Sequence, residues 1–94
     1  MATVIWSDPA LEDLERILDY ISLDNPEAAQ EVVTQILSYV EQLESHPQLG
    51  KRIESITGES YRQLIYRPCK MIYRIDDECI YILHVQRLEK THYW

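Results

Sequence analysis

Glycine and proline number only two and four in 94 residues, too few for a linker or a low-complexity segment. With 46% apolar and 27% charged residues, the balance is that of a folded globular chain rather than a disordered one. Long hydrophobic runs are missing as well. The longest, residues 79–83, falls far short of the roughly 20 that span a bilayer, so no membrane partner is expected. Residues 1–8 carry neither a basic start nor an apolar stretch; no secretory signal is expected, and the expected location is cytoplasmic.

Cysteine is scarce too. Cys69 and Cys79 fall near opposite ends of an expected strand. Seven or more extended residues at about 3.3 Å each put them more than ~20 Å apart, beyond the roughly 7 Å that a disulfide tolerates. Neither belongs to a Cys-x-x-Cys pair, and His46, His84 and His92 are scattered, so no metal and no cofactor is expected. No glycine-rich phosphate loop, serine nucleophile elbow or metalloprotease helix is present.

Charge is plentiful but unevenly divided. Residues 1–50 hold ten acids against one base, Arg16, while residues 51–94 hold eight bases against six acids. The halves therefore carry net charges of −9 and +2, summing to −7. The total argues against loose binding to nucleic acid, which needs a broadly positive field, yet leaves room for a focused basic groove.

The patterning predicts an α+β domain spanning residues 1–94. Val4, Ile5 and Trp6 form a short β-type run. Ser7-Asp8-Pro9 reads as a capped helix start, and Leu11, Leu14, Leu18 and Ile21 recur at helical spacing to about Leu23. Asp24-Asn25-Pro26 repeats the start signal. Ala29, Val33, Ile36, Val40 and Leu43 mark one face of a second helix ending near Ser45, ahead of Pro47. The two form a helical hairpin over about 9–45.

Residues 48–58 read as loop, with Gly50 and Gly58 as punctuation and Lys51-Arg52 exposed. Three β-type segments follow, at 61–66, 70–75 and 79–86, joined by Arg67-Pro68-Cys69 and by Asp76-Asp77-Glu78, a solvated turn. On the middle strand Met71, Tyr73 and Ile75 are expected to face the helices, leaving Lys70, Ile72 and Arg74 on the open side. The predicted order is β-α-α-β-β-β, a helical hairpin on one face of a small, mostly antiparallel sheet of about 60–86, with a tail at 87–94.

Two groups carry candidate chemistry. Arg62, Arg67, Lys70, Arg74, Arg87 and Lys90 either converge on one sheet face as an anion site or are ordinary surface charges at hairpin ends. Lys90, His92 and Tyr93 either supply proton transfer for metal-free RNA cleavage through the substrate's own 2′-hydroxyl, or form a frayed terminus. His84 reads as a hydrogen-bonded strand histidine on the parity of Ile80 and Ile82, and His46 as a helix-end residue. Tyr61, Tyr66, Tyr73 and Tyr81 read first as packing residues.

Several segments resemble a known family in order and spacing. They are Ile5-Trp6-Ser7 with Ala10-Leu11-Glu12-Asp13-Leu14, Asp24-Asn25-Pro26-Glu27-Ala28-Ala29, Pro47-Gln48-Leu49-Gly50-Lys51, Tyr61-Arg62-Gln63-Leu64, Met71-Ile72-Tyr73-Arg74-Ile75 and Ile80-Tyr81-Ile82-Leu83-His84-Val85. The pattern resembles the ParE/RelE superfamily of toxins from bacterial type II toxin–antitoxin (plasmid stabilisation) systems, with a lean to the ParE side.

That resemblance implies a growth-inhibiting toxin held silent in a hetero-oligomer by a cognate antitoxin protein. It implies poisoning of DNA gyrase first, with no catalytic chemistry of the toxin's own. Ribosome-dependent mRNA cleavage is the second implication, with Lys70, Arg74, His92 and Tyr93 as the residues that would carry it. A degenerate toxin serving only as an antitoxin-binding module is the third. The acidic helical half further implies an antitoxin segment with compensating lysines or arginines over the helices.

Overall fold

The computed structural model describes residues 1–54 and 60–88. The chain runs β1 (Thr3–Trp6), α1 (Asp8–Asp24), α2 (Pro26–Glu41), a short 3-10 turn (Gln42–Glu44), β2 (Lys51–Glu54), β3 (Ser60–Tyr66), β4 (Cys69–Asp76) and β5 (Cys79–Arg87). The expected order is present, with one strand more. β2 comes from a stretch expected as loop. Its four residues are too few to show period-two alternation, and only Ile53 among them is apolar.

The helix starts follow their caps. The Ser7 hydroxyl accepts from the Ala10 N–H at 3.1 Å, and the Asn25 amide oxygen accepts from the Ala28 N–H at 3.1 Å. Proline in the first turn of each helix supplies a residue with no amide donor to satisfy. Helix α2 buries the expected face at Ala29, Ile36 and Val40, extended by Leu43. In α1 Leu14 and Leu18 join the core as expected, and the stripe departs from expectation at its start. Ala10 and Leu14 are buried and Ile17 packs on the core, while Leu11, about 100° round the helix from Ala10, is exposed.

The five strands lie in the order β1-β5-β4-β3-β2, with β1 parallel to β5 and every other pair antiparallel. The helical hairpin covers one face. Its apolar stripes meet Leu64, Met71, Tyr73, Ile80, Ile82 and Val85 in a single core. Met71 and Tyr73 point inward as expected, whereas Ile75 is exposed at the β4 end. The helices do not reach that corner, and the parity rule says nothing about where cover stops.

A bulge interrupts β5. Ile72 stands opposite His84 and Tyr73 opposite Ile82, so Leu83 is an extra residue. Inward-facing positions therefore shift from Ile80 and Ile82 to Val85. His84 loses the parity expected for it and lies at the exposed end of the open face.

Tyr73 closes the core beneath the loop before β2. Its hydroxyl donates to the Pro47 carbonyl at 2.7 Å and accepts the Gly50 N–H at 2.8 Å. Burial pushes this phenol above its ordinary value, opposed by the Gly50 hydrogen bond and by Arg62. The fold thus favours the neutral phenol. Its contribution is complete below about pH 10, the unfolded value, and declines as pH rises past it toward the folded value. Denaturant midpoints between about pH 8 and about pH 11 should fall more steeply for the native chain than for Tyr73→Phe; equal slopes would count against the assignment.

Candidate functional site

β1 covers β5 only as far as the pairing of Trp6 with Ile82. Beyond it, among the described residues, no strand flanks the outer edge of β5, and α1 takes over. Ser7 makes the transition. Its N–H donates to the Ile82 carbonyl at 3.0 Å, and its hydroxyl donates to the bulge carbonyl of Leu83 at 3.1 Å. Two turns along α1, Asp13 accepts the Val85 N–H at 3.0 Å and meets His84 Nδ1 at 3.3 Å. A helix carboxylate thus serves a strand amide that would otherwise face a gap.

Asp13→Ala removes that acceptor without touching the apolar core. The expected cost is about 2 kcal/mol, with faster hydrogen exchange at Val85. An unchanged Val85 exchange rate would show that the seam does not depend on this carboxylate.

Past Asp13 the seam opens into a groove of about 570 Å3, lined by Arg16 and Ile17 of α1, Lys70 of β4, and Val85 to Leu88. Three cations reach it from three elements. Arg16 is 72% exposed and touches Asp13 at 3.3 Å. Arg87 lies over the Tyr20 ring, 4.3 Å from its centroid, a cation–π contact that fixes the guanidinium against α1. Lys70 sits opposite Gln86 in the register. Arg16 is the residue that sequence reasoning missed. The signal for it was its position as the only base among the first fifty residues, one turn before Tyr20.

The expected basic cluster divides. Lys70 and Arg87 come together here. Arg74 lies farther along β4, about 13 Å from Lys70 by strand geometry, beside Tyr81 at 5.1 Å and Asp76 at 3.8 Å. Arg62 is drawn away to the loop, donating to the Gly50 carbonyl at 2.8 Å and the Gln48 carbonyl at 3.3 Å. Arg67 is exposed in the β3–β4 turn. Lys90, His92 and Tyr93 lie outside the described residues.

On the open sheet face, the Tyr81 phenol is pushed up by the neighbouring Cys79 sulfur, with Arg74 opposing. It stays a neutral hydroxyl near pH 7, a donor rather than a base. Both cysteines are free thiols. Burial pushes Cys69 up, partly offset by Arg87. A thiol reagent should therefore modify partly exposed Cys79 promptly and Cys69 only at the rate of unfolding. Simultaneous modification of both would contradict the packing at Cys69.

The family model describing the ParE toxin of type II toxin–antitoxin systems matches residues 4–90. The chain belongs to the ParE toxin family. This match embraces the seam, the groove and all of the sheet but its first residue, Thr3. Among curated relatives, a protein named Toxin RelE2 from Caulobacter vibrioides is 30% identical over 87 residues, covering 92% of this chain and 94% of its own. Among solved structures, the chromosomal ParDE system from P. aeruginosa contains a chain with TM-score 0.79 and 29% identity, covering 95% of this chain and 98% of that one. A chain of the RelBE2 toxin–antitoxin complex from Mycobacterium tuberculosis shares the fold at TM-score 0.63 and 22% identity, covering 92% and 96%. Two helices on a five-stranded, mostly antiparallel sheet are thus a fold shared with a chain of each of these two systems.

Proposed function

We propose that this ParE-family chain arrests bacterial growth by poisoning DNA gyrase in the cytoplasm, and that a cognate antitoxin silences it by forming a hetero-oligomer with it. The observation that carries this reading is the match of the ParE model to residues 4–90. The ParDE neighbour at TM-score 0.79 supports it. Charge supports it as well: a chain of net −7 is a poor match for the polyanionic ribosome, whereas a protein target places no such demand on it.

Expression without antitoxin should stop growth and induce the response to DNA double-strand breaks, with messenger RNA left intact. Growth arrest accompanied by transcript cleavage and no DNA damage would overturn the gyrase reading.

Two observations favour ribosome-dependent mRNA cleavage as the second reading. Lys70 and Arg74 share the open sheet face, where cations can meet a phosphate, and a relative at 30% identity carries the name Toxin RelE2. Under that reading Lys70→Ala and Arg74→Ala abolish arrest while leaving the fold intact. Under the gyrase reading no general acid or base is required, and His92→Ala leaves arrest unchanged.

A further inference from the structure

We propose that the groove at the uncovered end of β5 receives an extended, acidic segment of the antitoxin, read by Arg16, Arg87 and Lys70. The inference rests on the antitoxin reading above and adds the chemistry of one contact.

Shape comes first. Among the described residues no strand flanks the edge of β5 beyond Ile82, where β1 ends at Trp6. The groove running from there is about 570 Å3, room for a few side chains of an extended peptide rather than for a folded element. Ile17, Val85 and Leu88 give it apolar walls, suited to side chains that alternate with charged ones.

Charge decides the sign of the occupant. Arg16, Lys70 and Arg87 bring three positive charges to the groove against one negative, Asp13, whose Oδ2 accepts the Val85 N–H and whose Oδ1 is paired with Arg16, leaving a net excess of two. Arg87 is held on Tyr20, so its planar fork is oriented before anything binds, which suits a carboxylate. Apart from Arg16 and Asp13, residues 1–50 carry nine acids and no base. A positive pocket a few residues long inside a negative molecule favours a short acidic stretch, and repels a polyanion that must extend past it. A segment crossing from the helices to the groove is therefore expected to change sign, basic over α1 and α2 and acidic beside β5.

The test uses the folded full chain and three fluorescein-labelled probes: a short peptide alternating Glu and Val, its Lys–Val counterpart, and a polyuridylate oligonucleotide of similar length. Anisotropy should show the acidic peptide binding best. Its affinity should fall about tenfold or more in the Arg16→Ala/Arg87→Ala double variant, and should weaken as salt rises to about 0.3 M. Lys51→Ala, on the opposite edge strand, should leave it unchanged. Amide shifts at Val85 to Leu88 on titration would localise the contact.

Preference for the Lys–Val peptide or the oligonucleotide, or an unchanged affinity in a double variant that circular dichroism shows to be folded, would overturn the assignment. Growth arrest by the native chain reports on the toxin reading separately. A chain that arrests growth yet fails the peptide test loses the groove assignment alone.

Discussion

Gly50→Ala should destabilise the fold by about 3 kcal/mol, the upper part of the range for overpacked sites. A β-carbon at this position would stand 2.7 Å from the Gln63 carbonyl oxygen, 2.7 Å from Tyr73 Cε1 and 2.8 Å from the Tyr73 hydroxyl. None of these can yield cheaply. The carbonyl belongs to the backbone of β3, and Tyr73 is fully buried and bonded to the same loop. For a domain of this size, whose whole stability is on the order of 5–15 kcal/mol, the loss should appear as a melting temperature lower by on the order of 15 °C. A shift of a degree or two would show that the loop relaxes freely, and would contradict the close approach described here.

Tyr73→Phe should cost about 2–3 kcal/mol through a different route. The ring remains and the core keeps its volume, but the Gly50 N–H and the Pro47 carbonyl lose their shared partner. A buried donor left unsatisfied costs about 1–3 kcal/mol, more than the net worth of the hydrogen bond itself. The two substitutions should not add. The Tyr73 hydroxyl is one of the atoms that a methyl group introduced at position 50 would strike, so removing it relieves part of the Gly50→Ala clash. Urea denaturation of the singles and the double should give a coupling of about 1 kcal/mol in the direction of relief. Strict additivity would mean that the hydroxyl is not the seat of the conflict.

Much of the architecture was legible because it follows from periodicity and capping. Ser7 and Asn25 cap the helices, and α2 presents Ala29, Ile36 and Val40 as its spacing predicts, with Leu43 following in the 3-10 turn. Other features were not legible. β2 is too short and too polar to announce itself, and is a strand because β3 offers it a partner from Lys51 to Glu54. The Leu83 bulge inverts parity midway along β5, and nothing in Leu83-His84-Val85 marks it, since the cause is tertiary: Ser7 and Asp13 supply the partners the bulged backbone needs.

The groove shows the same limit. Lys70 and Arg87 were visible as cations, but their meeting depends on strand register. Arg16 joins them only because α1 lies along the end of β5. Arg62, equally basic in sequence, is turned to carbonyls of the loop instead. Family likeness placed the chain among toxins. The geometry then distributes its charges into an acidic helical back, a positive groove at the seam, and an open face where Arg74 sits against Tyr81 and Asp76.

Gyrase poisoning is tested by DNA supercoiling and cleavage-complex formation with purified, antitoxin-free protein. A gyrase poison should abolish supercoiling and trap cleaved DNA, with both effects retained in His92→Ala. Unimpaired gyrase, with a folded sample that still arrests growth in cells, would contradict that reading.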